Sequence, residues 1–177
     1  MMIFLLIKII IALIVLGIIV VAVYISAQGD ARIELQTEKR TPVKKVREVD
    51  GRVDFEVEVP FTNTGKQEGT ILDAYMRIYL PQEQYDDVLL RGKVNLKGVL
   101  RGDDYFEAML VPSGTGNTLL LRFEAYAKNG KSIAEALKGA PDVDVALFAD
   151  CRGRRELYTV KRYFTLSGDE LHGLAEK

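Results

Sequence analysis

Tryptophan is absent from this chain of 177 residues, histidine and cysteine occur once each, as His172 and Cys151, and proline only five times. A lone cysteine excludes an internal disulfide and any metal site built on several thiolates. Cys151 has Arg152, Arg154 and Arg155 close by, a setting that lowers a thiol pKa, but no histidine stands near it in sequence to act as base. The plainer expectation is an inert cysteine at a strand end. His172 lies among Gly168, Asp169, Glu170, Gly173 and Glu176, a polar tail (residues 167–177) expected to be mobile, where a catalytic base would lack fixed geometry. An excess of positive charge is missing too: 24 basic and 25 acidic residues leave a net charge of −1. That balance argues against a nucleic-acid partner.

Charge is wholly absent between residues 9 and 27, where Ile, Val, Leu and Ala dominate. Such a length, at about 1.5 Å per residue, crosses a hydrocarbon core of about 30 Å. A removable signal peptide would have a shorter apolar stretch and a small-x-small cleavage site, whereas cleavage after Ala27 puts bulky Ile25 at a position that wants a small residue. The segment 1–27 is therefore expected as an uncleaved, single-pass anchor and the membrane as a partner. Lys8 precedes the span and Gln28-Gly29-Asp30 follows it without a basic residue. This flank favours an extracytoplasmic domain, although Arg32, Lys39, Arg40, Lys44, Lys45 and Arg47 pull the other way.

Residues 28–166 read as strands. In 52–60, Val53, Phe55, Val57 and Val59 alternate with Asp54, Glu56 and Glu58, the period-two pattern of a strand with one wet face. Residues 70–80, 118–127 and 143–150 alternate similarly, 31–38, 88–96 and 105–111 less clearly. The Gly-containing connection 151–154 makes a hairpin of 143–150 and 156–166. Ser132-Ile133-Ala134-Glu135 is a capping box, and Gly139 and Pro141 stop the short helix it opens. The expected fold is all-β: an antiparallel β-sandwich of seven or eight strands with one short helix, behind a transmembrane helix.

The strand ending in Val59-Pro60-Phe61, then Asn63-Thr64-Gly65, then Gly69-Thr70-Ile71-Leu72-Asp73-Ala74 resembles the second-to-third strand region of bacterial immunoglobulin-like envelope domains. The resemblance covers residues 53–80 and otherwise only the strand count. It implies a membrane-anchored immunoglobulin-like sandwich and carries no catalytic residues. The Cys…Trp…Cys core of antibody-type domains is missing. Sandwiches of the late-embryogenesis-abundant type are the second resemblance.

Three loops are candidate partner contacts: Asn63, Thr64, Gly65 and Lys66; Ser113, Gly114 and Thr115; and Arg152 and Arg154. The glycines of 113–117 join two strands and open no helix, so this is no phosphate loop. Lys39, Arg40, Lys44, Lys45 and Arg47 form a basic run close to the span, a candidate for contact with anionic lipid. Asp86-Asp87 and Asp103-Asp104 lack the spacing of a calcium loop, and Arg101-Gly102-Asp103 is too short a motif to carry adhesion. No cofactor, metal or small-molecule substrate is implied. The reading is a binding or envelope-assembly module on the outer membrane face, with a protein or envelope polymer as partner. The alternatives are a structural lipid-contacting domain and a small hydrolase using paired carboxylates.

Overall fold

The computed structural model describes residues 2–99 and 105–175. The Asp103-Asp104 pair and the Arg101-Gly102-Asp103 tripeptide lie outside them.

The apolar run folds as one helix, α1 (Met2–Ala27), none of whose residues is buried. Its 26 residues make a rod of about 39 Å. It projects from the rest of the chain instead of packing on it.

The remainder is a two-sheet antiparallel sandwich. Its strands are β1 (Ile33–Leu35), β2 (Lys44–Val49), β3 (Arg52–Asn63), β4 (Gly69–Tyr79), β5 (Val88–Leu96), β6 (Met109–Val111), β7 (Gly116–Ala127), β8 (Val143–Arg152) and β9 (Leu157–Leu166). One sheet runs β1-β3-β7-β5, with β2 on the same edge of β3 as β1; the other runs β6-β4-β8-β9. Counting β1 and β2 as one split strand and setting β6 aside, the order is 1-2-5-4 over 3-6-7, that of an immunoglobulin constant-type domain.

The period-two pattern explains β3. Val53, Phe55, Val57, Val59 and Phe61 are buried, and the residues between them are half-buried. Phe55 stacks on Phe123 of β7 with ring centroids 4.9 Å apart and planes 5° apart. From the other sheet Ile71, Val145, Leu147 and Ala149 close the core.

Two elements differ from expectation. The basic stretch at 44–49 is a ninth strand, β2, paired with the far half of β3. The short helix α2 (Ile133–Lys138) has the anticipated Ser132–Glu135 box, but a second capped turn, α3 (Gly168–His172), follows β9 with Ser167 and Glu170 in the same roles. Leu171 and Leu174 are buried in the core, and a His172 ring nitrogen lies 3.2 Å from the Ala140 carbonyl oxygen. The reading of this segment as a polar, mobile tail is thereby corrected for its described part: two leucines anchor it.

The strand directions sort the connections into two ends. Residues 28–32, 64–68, 112–115 and 153–156 gather where α1 enters; 50–51, 80–87, 128–142 and α3 lie at the far end.

Candidate functional site

The residues after α1 are held by two turns at once. Asp30 accepts hydrogen bonds at its carboxylate from the backbone N–H of Ala31 (2.8 Å), Arg154 (2.6 Å) and Arg155 (3.3 Å). The Arg154 amide above all, against a smaller effect of burial, holds this carboxyl below its ordinary value of 3.8. The Arg154 guanidinium donates to Gln28 Oε1 (2.5 Å), and Gln67 Nε2 donates to the Gln28 carbonyl (3.2 Å). On the other side Lys66 N–H donates to Asp30 O (3.0 Å) and Thr64 N–H to Arg32 O (2.8 Å). The linker therefore lies between the 63–68 and 152–155 turns like a further strand.

Glycine permits that approach at two positions. A Cβ on Gly65 would stand 2.3 Å from Asp30 O, and one on Gly153 would stand 2.3 Å from Asp30 Oδ1. Neither distance admits a side chain.

Asn63 organises the same end from inside. It is fully buried; Nδ2 donates to the carbonyls of Gln67 (2.8 Å) and Val111 (2.9 Å), and Oδ1 accepts from Arg32 N–H and Gly65 N–H (both 3.0 Å). Its backbone binds the 113–115 turn through Thr115 O and Gly114 N–H, and Ser113 Oγ donates to Gly65 O (2.6 Å). The three loops expected to receive a partner thus converge, but on the chain itself: 63–68 and 152–155 on the linker, and 113–115 on the 63–65 turn. Asn63 is corrected from a binding residue to a structural hub, because a fully buried, fully bonded amide has nothing left to offer a partner. Thr64, Lys66, Arg152 and Arg154 remain exposed at the α1 end.

The basic run climbs away from that end. Lys44 stands opposite Glu56 and Arg47 opposite Asp54, roughly 23 and 30 Å from Asn63 along β3 at about 3.3 Å per residue. Lys44 pairs with Glu56, Lys45 with Glu48 and Arg47 with Asp54, while Lys39 Nζ donates to Gln36 Oε1. Arg40 makes two bonds to the Glu170 carboxylate (2.8 and 2.7 Å) and one to the Thr165 carbonyl (2.9 Å), fastening α3 to the first sheet. Beside this bridge a groove of about 730 Å³ is lined by Thr41, Pro42, Val43, Glu56, Gly173 and Leu174 among others.

The remaining chemically suggestive groups are engaged. Cys151 is fully buried, and burial first, with nearby Asp150, pushes its thiol up to about 12. Asp86 pairs with Lys128, and Asp87 with Lys131 (2.6 Å) and Asn129 (3.2 Å). Asp54 and Glu124, opposite each other on β3 and β7, share the Arg52 guanidinium.

The outer face of the second sheet is the other distinctive surface. Tyr75 and Phe148 stack there at 4.9 Å, Arg77 lies 5.8 Å from the Phe148 centroid, and Lys161 lies 5.2 Å from Phe148 and 4.6 Å from Tyr163. Tyr79 and Tyr163 are about half exposed, at 47% and 56%. Nothing in the single-strand patterns marks this face, since its members come from three strands. Only the pairing Tyr75–Phe148–Lys161 brings them into one row.

No protein-family model matches the sequence, and no curated protein does. Among solved structures, the chain is similar to a Bordetella pertussis protein assigned as ApaA (15% identity, 77% of this chain and 94% of that one, TM-score 0.47). A protein from Archaeoglobus fulgidus follows (12%, 76% and 97%, 0.41). The CupB6 tip adhesin from Pseudomonas aeruginosa is a third (9%, 78% and 54%, 0.40). At these identities the likeness concerns the two-sheet architecture alone.

Proposed function

We propose that the chain is a single-pass membrane protein whose sandwich stands outside the cytoplasm as a non-enzymatic recognition or envelope-assembly module. The observation that carries this reading is the clasp around residues 28–32. It joins a projecting apolar helix to one end of a rigid domain and leaves no free tether between them. A helix so joined sets the domain's orientation, with the α1 end against the membrane and the far end and sheet faces directed away from it.

Recognition then falls to surfaces other than the three loops. The outer face of β4, β8 and β9, with Tyr79, Tyr163, Arg77 and Lys161 exposed, has the aromatic and arginine character of protein-contact surfaces. The partner is a protein or an envelope polymer. A photo-crosslinking residue in place of Tyr163, in cells expressing the full chain, yields adducts with that partner, whereas one in place of Thr64 does not. Adducts from Thr64 alone would return recognition to the α1-end loops.

A further inference from the structure

The α1 end carries a group of cations that the sequence disperses. Lys66, Arg152 and Arg155 are exposed and, among the described residues, have no ion pair. Arg154, also exposed, bonds only to the neutral Gln28 amide through its side chain. Gln28 is the first residue after α1. In the same loops the exposed acids are Glu68 and Glu156, while Asp30 is turned inward to three backbone N–H groups.

We infer that Lys66, Arg152, Arg154 and Arg155 form a basic collar around the base of the helix that contacts anionic phospholipid headgroups. The inference rests on the reading of α1 as a membrane span. Two observations fix the occupant: the collar is continuous with the end of the apolar helix, and its charge is opposite to that of an acidic lipid surface. Basic residues near such a surface are attracted over about one Debye length, roughly 8 Å at physiological salt. The collar lies within that reach; Lys44 and Arg47, higher on the sandwich and already paired, do not.

The collar does not itself weigh against an extracytoplasmic domain. The positive-inside rule counts basic residues near the span in sequence as it inserts. Lys66 and the three arginines are 39 to 128 residues beyond Ala27 in sequence, so they reach the membrane only after the sandwich has folded. A basic surface on the outer side is thus compatible with insertion directed by the immediate flanks.

The full chain is reconstituted in nanodiscs of phosphatidylcholine, with or without phosphatidylglycerol, and amide hydrogen exchange is followed. The expected result is slower exchange in 63–68 and 152–156 with phosphatidylglycerol, by at least about fivefold, the weight of one basic residue at an anionic surface. Exchange at 128–131 stays unchanged. K66E/R152E, which leaves Arg154, Arg155 and the Asp30 contacts in place, abolishes the lipid-dependent difference while β3 and β7 keep their protection. Equal exchange in both lipids with the chain inserted would overturn the collar alone. A chain that fails to enter either disc would overturn the membrane reading and the collar with it.

Discussion

At the scale of single residues, Asn63 and Asp30 hold the α1 end together, and each makes a distinct prediction. Asn63→Ala removes four hydrogen bonds from a fully buried position and leaves several backbone groups without partners. A loss of about 2–3 kcal/mol in unfolding free energy is expected from urea titration. Asp30 gives a pH dependence. Its folded pKa is lowered, so its contribution is present above the unfolded value and is lost as pH falls through the folded one. Amide protection at 28–32 and 153–155, taken against the intrinsic exchange rate at each pH, should therefore fall below about pH 4, where unfolded aspartate protonates, and Asp30→Asn should remove that acid sensitivity. Cys151, buried with its thiol pushed up to about 12, should resist maleimide at neutral pH in the folded chain and react fully in denaturant.

At the scale of elements, legibility followed burial. β3, with every second residue buried, was plain because one face of it is core and the other is half-wet. β2 was not, since its exposure pattern has no buried position: an edge strand covering only the outer rim of β3 leaves no hydrophobic period to read. α3 did have a signal, Ser167-x-x-Glu170, the same box that revealed α2, but five residues beside Gly and Asp resemble a frayed terminus. Its leucines show what it does. Leu171→Ala should cost about 2–4 kcal/mol, as a truncation at a closed core site does, with urea unfolding as the check. A cost under about 0.5 kcal/mol, usual for surface substitutions, would mean that α3 is only laid on the core. The candidate loops were legible as loops, and their convergence was not, because the contacts of Asp30 span 124 and 125 residues of sequence.

At the scale of the whole molecule, the topology puts both ends of the account in place. The immunoglobulin-type order runs β3, β6 and β8 toward the helix junction, so that the turns that follow them, 64–68, 112–115 and 153–156, gather around it. The surface left free by the junction is the domain's far end and the outer faces of its two sheets. On this account the molecule is a sandwich standing directly on its anchor, with orientation supplied by the clasp.

A helix that spans the membrane and holds the far end outside makes that end reachable from the medium. This is tested most directly by a cysteine at Glu83, an exposed far-end residue, in cells expressing the full chain. Because Cys151 is buried, it contributes no background in the folded protein. A membrane-impermeant maleimide should label E83C in intact cells, and the labelled chain should stay in the membrane fraction. Labelling only after lysis, or labelled chain in the soluble fraction, would contradict that arrangement.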